Sequence, residues 1–344
     1  MRLAAFSLGD TAKASSRLRS FYLFQYAHDF DIEVLRDIAY NKALNCNIVH
    51  IQKVLSYQLL FWMPIWRLFH VKVIYDLDDQ PGTFRARLGF ILAIFFSSIL
   101  TVDSNSRKDY WLKIFKNKKI VVIPGVLDKK DDTPLVPPRI SHSSPDFFWI
   151  GHPENLSSIY DFFPILETLN ARLLVCTDLN KVDKAFIENR PIDLMDWEED
   201  IAFSNKELNS FIILNHGHDI NSIHKSNNKM VLAILAGFIP IASNTQDYEL
   251  LAKNLNLEFL LFKNFEEIPK IYEEAMKFNW DKIFHDNQAQ LVSMYSSKSV
   301  LNFFIDKPNL ILSMGRKSRE IAEIKYDVHK VNKVMIREAR IKDV

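Results

Sequence analysis

The chain has 344 residues, which exceeds the length at which one hydrophobic core usually divides, so two domains are expected. Its 43 lysines and arginines nearly balance its 42 aspartates and glutamates, and the formal net charge of +1 excludes a dedicated nucleic-acid-binding protein with a broad basic face. The two cysteines, Cys46 and Cys176, lie far apart in apolar contexts, which indicates buried free thiols in a reducing compartment.

The start of the chain predicts a first β-strand and lacks the long apolar segment of a secretion signal, so a cytoplasmic protein is expected. The most apolar run, residues 88–100, is shorter than the roughly 20 residues that a membrane-spanning helix needs. Apolar residues crowd every face of this run, which favours a buried core helix. The alternative is a helix that lies on a membrane surface.

In the first half, short β-branched or aromatic runs alternate with segments of helical periodicity, the pattern of a parallel sheet wound with helices. The predicted strands lie near residues 2–6, 31–35, 47–52, 72–76, 99–102 and 119–123, and the predicted helices at 16–28, 55–69, 84–97 and 106–115. Ser104 is the expected N-cap of the last helix. Residues 124–145 concentrate proline, serine and charge, and they predict the interdomain connection.

A second series of alternating strands and helices follows. Its predicted strands lie near residues 147–150, 172–176, 193–195, 210–214, 239–242 and 258–262, and its helices at 157–169, 181–189, 197–204, 229–236 and 247–254. We therefore place an N-terminal domain at residues 1–135 and a C-terminal domain at 146–300. Residues 301–344 predict basic amphipathic helices that pack back on the first domain or, alternatively, make a peripheral contact with the inner leaflet of an anionic bilayer.

The candidate site residues follow the strands, because open parallel sheets bind ligands beyond the carboxyl ends of their strands. After the first strand, Arg17 and Arg19 stand at a helix start that suits an anion, unless they are ordinary surface residues. The loop lacks a GxGxxG pattern, which disfavours a nicotinamide-dinucleotide enzyme. After the fourth strand, Asp76, Asp78 and Asp79 crowd three carboxylates that would contact a cation or sugar hydroxyls, or serve as turn and helix caps.

The second domain opens with a hydrophobic strand that runs into Gly151 and His152. A glycine there lets the backbone approach a phosphate or a sugar closely, with His152 projecting over the cleft. A later loop contains His216 and a second histidine, but no spaced second pair of ligands. A zinc site is therefore disfavoured, and no metal cofactor is expected.

The strongest candidate site is the segment at residues 224–243, where a polar loop precedes an apolar helix. Free N–H groups at the helix start, together with lysine charge, suit a diphosphate; the alternative is a solvated turn that caps a core helix. After the following strand, Asp247 and Tyr248 belong to the next predicted cleft-side loop. The residues at the start of the segment are His224, Lys225, Ser226, Asn227, Asn228 and Lys229.

In their order and spacing these segments resemble the retaining GT-B glycosyltransferases, specifically the bacterial family-four-like enzymes of surface polysaccharide biosynthesis. The resemblance covers most of the chain and rests on SSRLR at 15–19, IYDLDD at 74–79, VVIPGV at 121–126, WIG at 149–151, and KSNNK with LAGFIPIAS at 225–243. It implies an α/β fold of GT-B type, in which two Rossmann-like domains with parallel sheets face a cleft and C-terminal helices follow.

The resemblance also implies an activity, namely retaining transfer of a sugar from a nucleotide-activated donor to a growing glycan or lipid-linked acceptor. Catalytic roles would fall to Lys225 and Lys229 at the leaving phosphate and to Asp78 or Asp79 at the sugar hydroxyls. Arg17 and Arg19 would hold the acceptor. The donor-binding residues would be Gly151, His152, His216, His224, Ser226, Asn227, Asn228, Asp247 and Tyr248.

One departure from the family pattern concerns two glutamates, eight residues apart, that many members carry at this helix. The corresponding positions here are His224 and Leu232, neither of which is a carboxylate. The departure leaves three alternatives: an altered donor, a catalytically inactive binding or scaffold subunit, or a transferase for another phosphate-activated group.

Overall fold

The computed structural model describes residues 1–11, 13–79, 84–129, 134–138, 147–182, 190–198, 211–215 and 222–306. Within these residues the chain forms two six-stranded sheets, and every pair of neighbouring strands is parallel. The prediction of two Rossmann-like domains with parallel sheets is confirmed.

The first sheet has the strand order β2-β1-β3-β4-β5-β6. Its central strands are covered on both faces, so they consist of nearly continuous apolar residues, and β3 is buried along its whole length. Its strands are β1 (Arg2–Ser7), β2 (Glu33–Arg36), β3 (Ile48–Gln52), β4 (Lys72–Leu77), β5 (Ile99–Val102) and β6 (Ile120–Val122).

The second sheet has the order β12-β11-β10-β7-β8-β9. Strand order therefore reverses between β7 and β10, and a reversal of this kind opens a crevice at the carboxyl ends of the two strands. Its strands are β7 (Phe147–Ile150), β8 (Leu173–Thr177), β9 (Ile192–Asp196), β10 (Phe211–Leu214), β11 (Ile239–Ser243) and β12 (Leu261–Phe262).

Helices connect the strands, and several of the α-helices begin at a residue whose side chain caps the helix. The predicted N-cap is confirmed, since Ser104 Oγ accepts a hydrogen bond from Arg107 N at 3.2 Å, and Thr245 Oγ1 caps a later helix in the same way. The α-helices are α1 (Ala14–Ser16), α2 (Tyr57–Leu68), α3 (Phe84–Phe96), α4 (Asn105–Ile114), α5 (Phe163–Leu169), α6 (Asn228–Leu235), α7 (Gln246–Leu255), α8 (Ile268–Ala275), α9 (Trp280–Tyr295) and α10 (Ser297–Asp306).

The hydrophobic cores follow the two sheets. One cluster fills the second domain, and two clusters lie on opposite faces of the first sheet. The chain crosses between the domains where α9 ends and α10 begins: α9 contributes Leu291 to the core of the second domain, whereas Val300 and Phe304 of α10 belong to the first domain. The chain thus returns to the first domain before Asp306, and residues 307–344 lie outside the described part.

Of the predicted elements that the structure describes, most agree with it to within two residues, but three predictions need correction. The helices predicted at 181–189 and 197–204 lie mostly outside the described residues. The helix expected at 16–28 is replaced by a wide π-type turn, Arg17–Phe21, and a 3-10 turn, Ala27–Phe30. The helix expected at 157–169 begins as a 3-10 segment, Pro153–Phe162. The last strand keeps only two residues because Glu258–Leu260 coils into a 3-10 turn.

The apolar run at residues 88–100 is also not the fully buried helix that its composition favours. It divides into the end of α3 and the strand β5. Phe90, Ala93 and Ile94 are buried, while Leu88 and Phe95 face outward. None of the helices in the described part of the chain is both long enough and apolar enough to cross a membrane.

Candidate functional site

A large cleft lies between the two domains, bounded by loops that follow strands of both sheets. It has a volume of about 1870 Å³. From the first domain it is lined by residues such as Asp78 and Asp103, and from the second by Gly151, Asn215 and Trp197. The cleft also contains the crevice between β7 and β10, the position where a doubly wound sheet binds its ligand.

The start of α6 supplies the cationic wall of this cleft. Lys225, Ser226, Asn228 and Lys229 all line it, as the sequence predicts. Lys229 Nζ donates to Ile150 O, at the end of β7, at 3.0 Å. Burial, reinforced by the neighbouring Lys225, lowers the pKa of Lys229 to about 8. An anion bound here would therefore meet a poorly satisfied ammonium at a helix N-terminus.

Asn228 adds a hydrogen-bond acceptor at the same helix start. Its Oδ1 atom is buried without a hydrogen-bond partner among the described residues. Its amide also closes the gap between the domains, because a Cβ at Gly125 would lie 1.8 Å from Asn228 Nδ2. The glycine in the VVIPGV segment therefore makes room for a side chain of the opposite domain.

Opposite Lys225 stands Asp79, which the sequence also places in the site. Lys225 Nζ lies 3.2 Å from Asp79 Oδ1, and Lys53 Nζ contacts the other carboxylate oxygen. Burial alone would raise the pKa of Asp79, but Lys225 and Lys53 outweigh it and the pKa lies below its ordinary value. An ion pair thus spans the cleft between the domains.

Asp78 occupies a different environment from its neighbour. Lys53 is 3.7 Å away, and Oδ1 of Asp78 has no hydrogen-bond partner among the described residues. Burial raises the pKa of Asp78, and the negative charges of Asp79 and Asp103 raise it further against the pull of Lys53. The pKa values of the two neighbouring carboxyl groups in the IYDLDD segment are therefore shifted in opposite directions: that of Asp78 is raised and that of Asp79 is lowered.

The two arginines predicted to hold an acceptor already bind carboxylates of the first domain. Arg19 forms a buried, two-point ion pair with Asp76. Arg17 binds Asp128 through Nε at 2.7 Å and Nη2 at 2.8 Å, and its guanidinium lies 5.3 Å from the Trp197 ring centroid. Both side chains are buried and paired at the cleft wall after the wide turn Arg17–Phe21, so neither is an ordinary surface residue, and their contact with an acceptor stays a prediction.

Three residues that the sequence predicts to bind the sugar donor make contacts within the protein and do not line the cleft. Asp247 accepts from Asn105 N at 3.1 Å, and so binds the start of α4 across the domain boundary. Asn227 Oδ1 accepts from Tyr295 Oη at 3.0 Å. Tyr248 belongs to the second hydrophobic core and is fully buried, because the helix start turns this position toward the sheet.

His224 likewise belongs to the contact between the domains. Its ring lies 5.4 Å from the ring of Tyr110, and its carbonyl accepts from Ser104 Oγ at 2.8 Å and from Arg107 Nη2 at 3.2 Å. His224 is not among the residues that line the cleft, and its contacts anchor the loop that carries Lys225. The second position of the family's glutamate pair, Leu232, does line the cleft.

Gly151 and His152 line the cleft on the side of β7. A Cβ at Gly151 would lie 2.6 Å from the Trp149 indole, so the turn is tight enough to require glycine. His152 Nδ1 accepts from Glu154 N at 3.5 Å and half of its side chain stays exposed. His216 lies outside the described residues.

Some cleft residues are not among those singled out from the sequence. Asp103 directly follows β5 and Trp197 directly follows β9, so the rule of reading loops after strands would have found both. Lys263 directly follows β12 and carries the same signal, whereas Asp128 lies six residues after the end of β6 and carries none. Within the described ranges, no group of three or more His, Cys, Asp or Glu residues is placed to hold a metal ion.

Comparison with known proteins adds information at the level of the fold. No protein-family model and no curated protein matches the sequence. The apo form of the lipopolysaccharide outer core galactosyltransferase WaaB is similar in structure, with 12% identity, coverage of 88% of this chain and 98% of that chain, and a TM-score of 0.56.

Two further solved structures are similar. TarM has 10% identity, covers 76% of this chain and 54% of that chain, and gives a TM-score of 0.55. An α,α-trehalose-phosphate synthase (UDP-forming) from Burkholderia vietnamiensis has 10% identity, covers 84% and 83%, and gives a TM-score of 0.50. The chain therefore has a GT-B-like fold, with two parallel six-stranded sheets and a cleft between them.

Proposed function

We propose that this protein is a glycosyltransferase that moves a sugar from a nucleotide-activated donor to a growing glycan or lipid-linked acceptor. The observation that carries the proposal is the cationic wall at the start of α6, within the cleft of a GT-B-like fold. Lys225 and Lys229 flank the free N–H groups of the helix there. Fixed cations and helix N–H groups together match the diphosphate of a nucleotide sugar.

Each side of the cleft then has a role in transfer. Lys229 and the helix start stabilise the charge that develops on the leaving diphosphate, while Gly151 leaves room for the donor beneath β7. Asp78 and Asp79 come from the opposite domain and orient sugar hydroxyls. Catalysis is mainly electrostatic and positional, and we propose that the anomeric configuration is retained.

An exposed aromatic ring offers a place for the nucleoside part of the donor. Trp197 follows β9, two strands from β7, and its indole is 37% exposed in the cleft. Its backbone is fixed by a hydrogen bond from Trp197 N to Thr177 O at 3.0 Å. Stacking of a base on such a ring contributes about 1–3 kcal/mol.

A pathway in bacterial surface polysaccharide biosynthesis, on the cytoplasmic face of the membrane, is consistent with this proposal. WaaB is described as a lipopolysaccharide outer core galactosyltransferase. The shared fold supports the reaction class.

The test is a screen of nucleotide sugars by thermal shift, followed by product mass with glycan and lipid-linked acceptors. A bound donor stabilises the folded protein by mass action, so at least one nucleotide family is expected to raise the Tm. The Lys229→Gln variant is expected to lose that shift, whereas Lys253→Gln, on the outer side of α7, is a matched control. A Tm that no donor changes, in a folded protein, would refute the proposal.

The alternative function is an inactive, glycosyltransferase-like binding or scaffold subunit. One observation favours it: the two positions that carry glutamates in the family contain His224, tied up between the domains, and the apolar Leu232. The two functions differ in the screen, because a scaffold that has lost its donor site binds no nucleotide sugar. A donor that binds without any transfer to a panel of acceptors would also support the scaffold.

A further inference from the structure

The outer surface of α2 and α3 exposes large apolar side chains that no other part of the described chain covers. Tyr57 is 93% exposed and Phe95 is 64% exposed, values far above those of a packed helix surface. We call this surface the α2–α3 face. Its members are Tyr57, Phe61, Leu68, Phe69, Leu88, Leu92 and Phe95.

The spacing of these residues shows that the exposure belongs to one side of each helix. On α3, Leu88, Leu92 and Phe95 lie at i, i+4 and i+7, while Ala93 and Ile94 are buried against the sheet. On α2, Tyr57 and Phe61 are also four residues apart. Apolar residues thus occupy both the inner and the outer side of each helix, which a water-facing helix does not require.

The two helices form a single surface. Both cover the same side of the first sheet, and they pack directly on one another. A Cβ at Gly89 would lie 2.4 Å from Leu55 Cδ2, so α3 approaches the start of α2 very closely. The exposed side chains therefore form one patch, and contiguous apolar patches of this kind mark sites of interaction with a protein or a membrane.

The charges around the α2–α3 face have one sign. Residues 54–75 and 84–102 contain no aspartate or glutamate. Arg67 and Arg87 are exposed, and neither forms an ion pair with any residue that the structure describes. Lys118 Nζ donates to Ser97 O, just beyond α3, and burial together with the nearby Arg67 lowers its pKa to about 8. Arg67 and Arg87 thus place positive charge on these helices without an ion-paired carboxylate in the part of the chain that the structure describes.

We propose that the α2–α3 face binds the surface of an anionic lipid bilayer. The aromatic and aliphatic side chains would enter the boundary between headgroups and acyl chains, and Arg67 and Arg87 would meet lipid phosphates. A second copy of the chain fits less well, since its own face would bring the same uncompensated positive charge. The inference stands on this surface alone and holds whether or not the cleft binds a nucleotide sugar.

The first experiment is vesicle co-sedimentation of the full chain with phosphatidylglycerol and phosphatidylcholine in equal parts, compared with phosphatidylcholine alone. The double variant Phe61→Ser/Phe95→Ser is expected to lower partitioning by about tenfold or more, because each phenyl group loses its apolar burial. Leu250→Ser, an exposed apolar position on α7 in the second domain, is the matched control and should leave partitioning unchanged.

Two results would overturn the proposal: no binding of the parent to anionic vesicles, or equal binding by the parent and the double variant. The second result would assign membrane contact to another basic segment, such as residues 307–344. Melting temperatures of all variants identify any loss of partitioning that comes from unfolding, and single Phe61→Ser and Phe95→Ser variants then replace the double variant.

A second measurement tests the orientation of the bound protein. A fluorophore sensitive to polarity is attached at Phe95→Cys or, as the control, at Leu250→Cys. Both native thiols are buried, and burial raises the pKa of Cys176 to about 12, so they compete poorly for the label. The label at position 95 alone should shift to the blue on anionic vesicles. A blue shift that grows with protein concentration without vesicles would mean that a second copy covers the face, against the proposal.

Discussion

Lys229 makes a prediction that depends on pH. Its pKa of about 8 means that the side chain is about nine-tenths charged at pH 7 and about one-tenth charged at pH 9. A bound diphosphate stabilises the charged form and so raises this pKa. The affinity for a nucleoside diphosphate is therefore expected to fall nearly tenfold from pH 7 to pH 9, which corresponds to about 1.4 kcal/mol.

The direction of this pH dependence follows from the burial of the Lys229 amine. Since burial depresses the pKa in the free protein, charging Lys229 becomes costly as the pH rises through 8, and the ligand must supply the missing stabilisation. The ligand itself changes little, because a terminal phosphate with its second pKa near 6 is already about nine-tenths ionised at pH 7 and nearly fully ionised at pH 9. The change of affinity with pH therefore reports mainly on the charge of Lys229.

Isothermal titration calorimetry, with a nucleotide identified in the donor screen, measures this effect. Titrations near pH 8 in buffers of different ionisation enthalpy should show uptake of about half a proton per ligand. The Lys229→Gln variant should bind more weakly at pH 7 and show a flat profile. A parent protein whose affinity does not change between pH 7 and pH 9, or a variant that keeps the slope, would refute this reasoning.

Three substitutions test the contacts that hold the site in place. Gly237→Ala should destabilise the fold by about 2 kcal/mol or more in chemical denaturation, because φ is +83° and a Cβ would lie 2.7 Å from a backbone carbonyl of the interdomain connection; an unchanged midpoint would contradict this account. Asp247→Ala should cost about 1 kcal/mol by the same assay, since α4 loses its cap from the opposite domain, and Asp247→Asn should restore most of it. Gly125→Ala should displace the Asn228 side chain and weaken nucleotide binding severalfold while the denaturation midpoint stays unchanged; a large loss of stability would show that the contact serves folding instead.

The fold could be predicted from the sequence because its signals are local. Most strands of the two sheets are short apolar runs ended by polar residues, and Ser104 stands at the start of α4 as its cap. The segment 16–28 failed because its course depends on distant partners: Arg19 pairs with Asp76, 57 residues away, and this pairing carries no periodic signal.

The site was predictable where it depends on strand ends and was not where it depends on packing between the domains. Lys225 and Lys229 reach the cleft, as expected from their position before α6. Asp247 and His224 follow the same logic but bind the opposite domain instead, because the start of α4 with its Ser104 cap lies against them. Contacts between residues far apart in the chain, such as Asn105 with Asp247, leave no regular spacing in the sequence.

The central claim, a diphosphate site at the start of α6, is tested most directly by a crystal structure of the protein with a nucleoside diphosphate. The expected result places the terminal phosphate within hydrogen-bonding distance of Lys229 Nζ and of the first backbone N–H groups of α6. A nucleotide that binds elsewhere in the cleft, with Lys229 Nζ still donating to Ile150 O and no phosphate near it, would contradict the claim.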